Sequence, residues 1–381
     1  MTIGFDGIRT VDGDSPLSFY DRIVIASLGR EYPKDTFMIY SPIGPSDSSI
    51  SSLLSIANVH NKTPYKALNK WRWRNRSGIF VDFHRHGVKV FHGLDAILPT
   101  GTCHDDVKMV ITLRDLSFKR MMTDYSWLEK LFRNSRIKQA CHKAERVIAT
   151  SEYIKDQTVK RYGIGADKVD VIHTAYRNEY ITTEYDQDYL ANVRSKYHLP
   201  RNFILAISDF SPLANMETLY RAFASIDNKD IYLVVIGRRN DNYRRLKRLA
   251  QQLNIADHVV RVPFVSRHSF MAFYALSKAF IEPALQDGVG QCLVEAMITG
   301  TPVIASDDGC HREMGGDAAL YFAPGDDHEL TRHINSVLGN DTVSQRMAAA
   351  GKQQALQFSQ QALAQATMLS YNRARGKVVD E

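Results

Sequence analysis

Features that would mark a secreted or membrane-spanning protein are scarce in this 381-residue chain. It has no run of about 18 apolar residues, the length that crosses a membrane, so we expect no transmembrane helix. Its first 14 residues lack the basic and then apolar pattern of a signal peptide. The four cysteines show no spacing typical of disulfides or zinc sites, and we expect reduced thiols in the cytoplasm at Cys103, Cys141, Cys292 and Cys310.

The composition is that of a globular protein with a packed core, since 44% of the residues are hydrophobic and 24% are charged. A chain of 381 residues is too long for one typical domain, so we expect two. The net charge of +6 suits an anionic partner such as a nucleotide, a phospholipid head group or a nucleic acid. It suits a slightly basic protein without such a partner equally well, so charge alone does not identify a function.

One short segment, Lys70–Arg76, interleaves two tryptophans with three arginines. Such a segment is typical of a contact with a membrane or a nucleic acid, and also of an amphipathic helix whose tryptophans pack inward. We favour the amphipathic helix, because one short basic patch is weak evidence for a binding surface.

Apolar segments of strand length alternate with amphipathic segments of helix length along the chain. The first half opens with a strand at Met1–Ile8, a helix from about Ser18 to Gly29 and a strand at Thr36–Pro42. This alternation predicts an α/β protein built from doubly wound parallel sheets.

A polar segment, Tyr176–Leu199, separates the first half from a second half in which the alternation restarts at Asn202. We interpret that segment as the region of a linker. The predicted boundaries are residues 1–185 for the first domain, 186–200 for the linker, 201–357 for the second domain and about 358–381 for a final helix.

The stretch Phe280–Cys310 has the pattern of an anion site. A buried strand is followed by a loop with two glycines, and the loop opens onto a helix from about Gln291 to Ile298. Such a helix start presents backbone N–H groups and the positive end of the helix dipole, which favour a phosphate. Two carboxylates, Asp287 and Glu295, flank the loop, and carboxylates near nucleotides commonly accept hydrogen bonds from sugar hydroxyls.

Four residues of the first half follow predicted strands: Gly7, His92, Arg114 and Ser151. The carboxyl ends of parallel strands meet at the edge where α/β proteins bind ligands. For His92, contact with a substrate and a hydrogen bond to nearby backbone both stay open. Ser151 also suits the N-cap of a helix at Tyr153–Tyr162.

The order and spacing of several segments match a known family. In the first half these are VFHGLDAILPTG, VITLRDLSF and VIATSEYIKDQTVKRYGIGADKVDVIHTA. In the second half they are FILAISDFSPLANMETLYRAF, YLVVIGRR and EPALQDGVGQCLVEAMITGTPVIASDDGC. Together they resemble the family 4 glycosyltransferases. The resemblance implies the GT-B fold, in which two doubly wound Rossmann-like domains face each other across a cleft and the final helix packs back on the N-terminal domain.

The resemblance also implies a donor site in the C-terminal domain. It assigns Glu295 to the ribose hydroxyls and Asp287 to the donor sugar. The backbone of Phe264 and Val265 would lie near the base. The loop and the first helical turn would face the sugar and the diphosphate with Gly288, Val289, Gly290, Gln291 and Cys292.

On the acceptor side, the N-terminal domain would contribute the loop around Gly13 together with His92 and Ser151. A His-Asp pair of the family appears here as Arg114-Asp115, and we expect these two residues and Asp287 to support the reacting centre. Arg114 has three open roles, which are to bind a phosphate, to pair with Asp115 or to fill space.

The sequence departs from the family where cations are expected. An Arg and a Lys that bind the diphosphate in the family correspond here to Asp209 and Ala214. Each missing charged hydrogen bond to a developing anion costs about 3–4 kcal/mol. Two functions therefore stay open: an active glycosyltransferase, and an impaired homologue that acts as a nucleotide-binding or scaffold subunit.

The resemblance implies a retaining, metal-independent hexosyl transfer in polysaccharide biosynthesis. The co-substrate would be a UDP- or GDP-linked sugar, with no other cofactor, and His84, Arg85 and His86 lack the spacing of a zinc site. The expected partners are a glycan or lipid-linked acceptor and a peripheral contact with the inner membrane face, but no nucleic acid. At Cys292, a helix N-terminus that lowers the thiol pKa and simple packing are both open.

Overall fold

A computed structural model describes most of the chain. The described residues are 1–11, 16–42, 44, 50–64, 78–101, 106–116, 127–178, 186–263, 265–266 and 269–377. The segment Lys70–Arg76, Gly13 and Phe264 were singled out from the sequence but lie outside these residues. The chain forms two compact units. The first contains the described residues up to Ala175 and those from Gln360 on, and the second contains Tyr176–Ser359.

The first unit is built on a parallel sheet whose described strands follow the order β3-β2-β1-β4-β5-β6-β7. The strands are β1 Thr2–Asp6, β2 Thr36–Tyr40, β3 Val59–Lys62, β4 Val88–Gly93, β5 Lys108–Leu113, β6 Arg146–Ala149 and β7 Val169–Val171. Most positions of the central strands β1, β4 and β5 are buried on both faces, as in sheets that helices cover on both sides.

The helices of this part of the chain are α1 Ile8–Val11, α2 Pro16–Glu31, α3 Ser51–Leu54, α4 Gly78–His86, α5 Trp127–Lys143 and α6 Glu152–Tyr162. The ends of α6 show how local sequence sets its bounds. The hydroxyl of Ser151 accepts a hydrogen bond from the Ile154 N–H at 3.3 Å, and Gly163 ends the helix with φ of 66°. The N-cap predicted at Ser151 is confirmed.

The second unit repeats the plan with the strand order β10-β9-β8-β11-β12-β13. Its strands are β8 Phe203–Ile207, β9 Tyr232–Ile236, β10 Val259–Val262, β11 Phe280–Glu282, β12 Val303–Ser306 and β13 Leu320–Phe322. Its helices are α7 Gln187–Lys196, α8 Met216–Ala224, α9 Asp241–Gln252, α10 Phe270–Leu276, α11 Gln291–Ile298, α12 His311–Gly315, α13 Asp327–Gly339 and α14 Asp341–Ala355. All strand pairs in both sheets are parallel. The two doubly wound parallel sheets confirm the predicted α/β class.

The segment interpreted as a linker is not one. Residues 186–200 contain α7, whose N-cap Asp186 accepts a hydrogen bond from the Asp188 N–H. Val193 of this helix is 4% exposed and belongs to the core of the second unit. Polar composition misled the prediction, because Val193 and the partly buried Tyr189 and Leu190 anchor a helix whose other residues are mostly polar.

The last helix, α15 Gln360–Ala374, belongs to the first unit although it follows the second in sequence. It packs on α2, where Arg30 donates to the side-chain oxygen of Gln360 at 3.1 Å. Its buried Tyr371 reaches the interior of the unit, and its Ser370 hydroxyl donates to Asp170 at 2.7 Å. The first unit is therefore completed by both ends of the chain. Among the described residues, no helix is long and apolar enough to cross a membrane.

Candidate functional site

In the second unit, the strand order reverses between β8 and β11, which are neighbours in the sheet. Open α/β sheets bind ligands outside the carboxyl ends of the strands at such a switch point. The loop Asp287–Gly290 follows β11 and leads into α11. The loop with two glycines that the sequence singled out therefore lies on the edge of the sheet where a ligand is expected.

Two glycines allow this loop to lie against the turn after β12. Gly290 has φ of 66°, and a Cβ on it would come within 2.6 Å of the Met314 side chain. Gly309 has φ of 61°, and a Cβ on it would come within 2.3 Å of the Asp287 carbonyl oxygen. Side chains at either position would be strained and would push the two segments apart.

The carboxylate of Asp287 binds the loop that it begins. It accepts hydrogen bonds from the N–H groups of Val289 at 2.8 Å and of Gly290 at 3.1 Å. Its own carbonyl accepts one from the Cys310 N–H at 2.9 Å. Burial opposes its charge, but the nearby His311 and the hydrogen bonds from the two amides hold the pKa of Asp287 below its ordinary value.

His311, the first residue of α12, lies behind the loop with none of its surface exposed. Its Nδ1 is 2.9 Å from the Ser306 carbonyl oxygen, and its Nε2 is 3.6 Å from Oδ2 of Asp287. Burial opposes the charge of the imidazole, but the nearby carboxylate of Asp287 outweighs it and raises the pKa of His311 to about 9.

A second carboxyl group, that of Glu282, ends β11 and is 8% exposed. Burial raises its pKa to about 7, with further contributions from the negative charges of Asp287 and Asp209, against the lowering effect of His311. The edge of the sheet thus carries a carboxyl group that changes its charge near neutral pH.

Glu295 of α11 is 2% exposed and forms a buried ion pair. Its Oε1 is 3.2 Å from Nε of Arg177 and accepts a hydrogen bond from the side-chain amide of Gln291 at 2.9 Å. Arg177 is itself 7% exposed. A charge at this depth requires such a partner, because an unpaired buried carboxylate is strongly disfavoured.

The first unit has its own switch point, between β1 and β4. A cavity of about 220 Å³ lies there, and it is lined by Asp6, Ile8, Arg9, Asp21, Leu94, Asp95 and Ile97. Nη2 of Arg9 is 2.8 Å from Oδ2 of Asp95. Carboxylates and a guanidinium therefore meet aliphatic side chains at the edge of this sheet.

Arg114 lies below this cavity and is 3% exposed. Its Nη1 donates to Oδ1 of Asp21 at 2.7 Å, its Nη2 is 3.6 Å from Asp95, and its guanidinium covers the Tyr20 ring at 4.9 Å. Burial opposes its charge, but Asp21 and Asp95 outweigh it and hold the pKa of Arg114 above its ordinary value. The guanidinium thus remains charged inside the unit.

Comparison with known proteins identifies the family. A family model described as Glycosyltransferase Family 4 matches residues 25–179, and one described as Glycosyl transferases group 1 matches residues 192–354. The two models follow one another along the chain and together cover most of it. The chain belongs to the family 4 glycosyltransferases.

Individual relatives agree with this assignment. The serotype-specific mannosyltransferase WbdA of Escherichia coli is 24% identical over 57% of this chain, but the match spans only 27% of that relative's length. The O-antigen chain mannosyltransferase B of Escherichia coli is 23% identical over 80% of this chain and 84% of its own length. The structure of Anabaena Alr3699/HepE in complex with UDP and glucose shares the GT-B fold, with a TM-score of 0.73 at 16% identity over 98% of this chain and 100% of that one.

Three residues that we expected on the acceptor side or at the reacting centre are buried in the first unit, and their expected roles stay predictions. Arg114 is bound to Asp21 and not, as one alternative had it, to Asp115. His92 is 1% exposed, and its two ring nitrogens each lie 2.7 Å from a hydroxyl, of Tyr371 and of Thr112. Burial and the charge of Arg114 lower the pKa of His92 to about 3, so this imidazole stays neutral.

Ser151 is fully buried, and its hydroxyl caps α6, so it too lies inside the unit. Asp115 is exposed at the carboxyl end of β5. Its expected place at the reacting centre stays a prediction, as does the acceptor contact of Gly13, which lies outside the described residues.

In the donor loop, the structure shows an acceptor for the amides of Val289 and Gly290, whose contacts with the donor stay predictions. Their N–H groups, which we expected to face the sugar and the diphosphate, donate to Asp287. The contacts expected of Gly288, Gln291 and Glu295 with the donor stay predictions.

Two further expectations concern buried side chains. Burial, followed by the negative charges of Glu282 and Glu295, raises the pKa of the Cys292 thiol well above its ordinary value. The packing alternative for Cys292 is therefore favoured over a reactive thiol. The Val265 side chain is 7% exposed and packs in the core, so only its backbone is available to the base.

The positions where the family has cations carry none here. Asp209 is exposed and accepts a hydrogen bond from the Ser211 N–H at 2.8 Å, so it closes its own turn. Ala214 packs against the core of the unit. Among the described residues, no cluster of three or more His, Cys, Asp or Glu side chains is arranged to hold a metal ion.

Sequence reasoning missed His311 and Arg177, which pair with the two predicted carboxylates. Arg177 lies in the segment interpreted as a linker, where no pattern marks it. His311 had a usable feature, since it starts a helix directly after β12, the neighbour of β11. Recognising it required the strand order, which a local pattern does not give.

We predict that Arg114 stabilises the first unit. Arg114→Met leaves Asp21 buried without its partner, and the free energy of unfolding should fall by about 3–5 kcal/mol. Unfolding in urea, followed by circular dichroism, measures the change in the free energy of unfolding. Adding Asp21→Asn should recover part of the loss.

The matched control is Arg85→Met, which removes an arginine with a 68% exposed side chain from a surface pair with Asp82 and should change the stability by less than about 0.5 kcal/mol. A loss for Arg114→Met no larger than for this control would contradict a structural role.

The raised pKa of Glu282 predicts a stability that depends on pH. Between its ordinary value of 4.5 and about 7, the folded state binds more protons at Glu282 than the unfolded state, so stability falls as the pH rises through this range. Glu282→Gln removes the effect. The variant should be more stable than the parent by about 2 kcal/mol at pH 8 and nearly equal to it at pH 4.5 in calorimetric unfolding. An equal gain at both pH values would show that packing, and not ionisation, is responsible, and Asp257→Asn on the surface serves as the control.

Proposed function

We propose that this protein transfers a hexosyl group from a nucleoside-diphosphate sugar to a glycan or lipid-linked acceptor. The observation that carries the proposal is the loop at Asp287–Gly290, which lies at the switch point of the second sheet in a chain of the family 4 glycosyltransferases. The family implies retention of configuration and independence of metal ions.

In this proposal, the donor diphosphate lies at the start of α11. As the bond to the sugar breaks, the diphosphate gains negative charge, and donors that are already aimed at it lower the barrier. Because Asp287 binds the amides of Val289 and Gly290, the first turn of α11 and its dipole supply the stabilisation that these two amides do not. Glu295, held by Arg177, would accept hydrogen bonds from the ribose hydroxyls.

The cavity at the switch point of the first unit is the proposed place for the sugar that accepts the transfer. Its volume of about 220 Å³ accommodates one sugar ring, and Asp6 and Asp95 supply acceptors for hydroxyl groups. Its aliphatic side chains suit the apolar face of such a ring. The donor sugar that the relatives suggest first is mannose, since WbdA and the O-antigen chain enzyme are both named mannosyltransferases, and glucose is the next candidate.

The second candidate function is an impaired homologue that binds a nucleotide without transferring the sugar. The absence of cations at Asp209 and Ala214 favours it, as does the burial of Arg114, which is bound to Asp21. Nucleotide binding without turnover would support this candidate, whereas any transfer would exclude it.

We expect turnover with at least one UDP- or GDP-linked hexose, measured by release of the nucleoside diphosphate. Asp287→Ala and Glu295→Ala should each lower kcat/KM by about 100-fold, because each removes an interaction that positions the donor. Asp257→Ala, at an exposed carboxylate of the same unit, should leave it unchanged.

The same assay tests the finer points of the proposal. Turnover should persist in EDTA, and the product should keep the anomeric configuration of the donor. If no sugar nucleotide is turned over or bound, the chain is not a transferase of this kind.

We further propose a peripheral contact with an anionic membrane through α5. Leu128, Leu131 and Phe132 occupy one stripe of this helix and are exposed by 60%, 57% and 67%. Arg133 and Arg136 follow in the next turn, and the Arg136 guanidinium lies 5.7 Å from the Phe132 ring centre. An exposed apolar stripe next to cations is typical of helices that lie in the head-group region of an anionic bilayer.

We predict that the protein floats with vesicles that contain anionic lipid and remains at the bottom of the gradient with neutral vesicles. Leu131→Ser with Phe132→Ser should abolish flotation, because the apolar stripe supplies most of the buried area. Leu356→Ser replaces a leucine of the second unit that is 49% exposed and should have no effect. Equal flotation of the double variant and the parent would refute this surface.

A further inference from the structure

A buried cation lies behind the donor loop at His311, and the proposed transfer does not by itself explain it. The side chain is fully buried, and its contacts are to Ser306 at the end of β12 and to Asp287. Burying an imidazolium is unfavourable unless it is paired. This cost implies that the imidazolium has a role in the loop that it supports.

The hydrogen bonds of Ser306 define which atom of His311 carries a proton. The Ser306 carbonyl oxygen can only accept, so Nδ1 of His311 must donate to it. The Ser306 hydroxyl donates to the Ala284 carbonyl oxygen. Its oxygen therefore faces the same Nδ1, 3.1 Å away, as an acceptor. In a neutral ring with its proton on Nδ1, the lone pair of Nε2 would face the carboxylate of Asp287, which is also negative, and the two would repel each other. Both nitrogens are therefore protonated, in agreement with the raised pKa of about 9.

The imidazolium completes the surroundings of Asp287. One oxygen of the carboxylate accepts from Val289, and the other accepts from Gly290 and faces His311. The two amides belong to the loop itself, and the imidazolium belongs to α12. The orientation of Asp287, and with it the shape of the loop up to Gly290, depends on both sets of contacts.

The carboxylates around His311 show which negative charges its imidazolium offsets. Asp287 faces it from the loop and Glu282 from the end of β11, while Asp209, after β8, acts on Glu282. Glu313 of α12 acts with Asp287 and Glu282 on the nearby Cys310. Without the imidazolium, this edge of the sheet would present several carboxylates to a dianionic diphosphate, and the repulsion would weaken binding.

We propose that His311 is a positioning residue of the donor site, which as a buried cation holds Asp287 against the loop amides and offsets the carboxylates that would repel the diphosphate. The inference rests on the proposed donor site. It gives the second unit a source of positive charge in place of the cations missing at Asp209 and Ala214, but one that acts through Asp287 and not by direct contact with the donor.

The first test needs no ligand. Nuclear magnetic resonance of the ring Cε1–H should show His311 protonated up to a pH of about 9, and Asp287→Asn should move its titration toward the ordinary value of about 6.5. A titration of His311 near 6.5 in the parent protein, or one that Asp287→Asn leaves in place, would overturn the inference.

The second test uses UDP and GDP without a sugar, so that any direct contact of Asp287 with the donor sugar does not contribute. In calorimetry at pH 7.5, His311→Asn should weaken binding by about 10-fold or more, because it leaves the carboxylate without its counter-charge and the loop without its support. The double variant Asp287→Asn with His311→Asn should recover most of this loss, since the charge that required the imidazolium is gone. The control His328→Asn, on an exposed histidine of α13, should bind as the parent does.

The outcomes separate the inference from the function on which it rests. Losses that add in the double variant, or an unchanged affinity of His311→Asn, would overturn the inference and leave the donor site intact. A parent protein that binds neither nucleotide would overturn both.

A pH series on the parent protein tests the inference even if the His311→Asn variant does not fold. Nucleotide affinity should fall as the pH rises through about 9, and in the double variant this fall should be absent. An affinity of the parent that stays constant across that range would also overturn the inference.

Discussion

The carboxylate of Asp287 is the contact on which the candidate donor site depends. It joins two segments, since it accepts from its own loop and faces a histidine that begins the helix after the next strand. The backbone of the same residue accepts from Cys310 and leaves room only for glycine at position 309. The start of α11, where an anion would bind, is thus positioned by one side chain and the packing around it.

The two units solve the same electrostatic problem in different ways. In each sheet, parallel strands bring polar residues to one edge at the point where the strand order reverses. In the first unit, the buried Arg114 neutralises Asp21 and Asp95 from below, and Arg9 pairs with Asp95 beside the cavity. In the second, a histidine and Arg177 neutralise Asp287 and Glu295 one by one. Carboxylates are useful for binding sugars, but each one near the core requires a cation from another segment.

The sequence predicted what depends on local pattern and missed what depends on strand order. Helix α11 begins and ends at the predicted residues, because glycines with positive φ, Gly290 and Gly300, flank it. The polar helix α7 was taken for a linker, since Val193 is its one fully buried residue and Tyr189 and Leu190 pack on the core only in part. Asp287 and Glu295 were recognised from the loop between them, whereas His311 and Arg177 were not. His92 lies near the end of β4 and Arg114 follows β5, as ligand-binding residues do, but both side chains are buried, and the sequence contains no information on that choice.

The cations that the family uses and this chain lacks bear directly on how a transfer would proceed. Asp209 closes its own turn and Ala214 packs on the core, so neither position offers a donor to a diphosphate. Among the described residues, the exposed Arg238 and Arg239 after β9 are candidates for a compensating cation in direct contact, whereas Arg177 is bound to Glu295. A second way to favour the diphosphate is to remove negative charge from the surrounding carboxylates instead of adding a cation. A histidine that neutralises Asp287, together with a Glu282 that is protonated below pH 7, lowers the repulsion at the start of α11 and leaves its dipole to act on the anion. A site of this kind binds its diphosphate less tightly at alkaline pH, a dependence that two fixed cations would not produce.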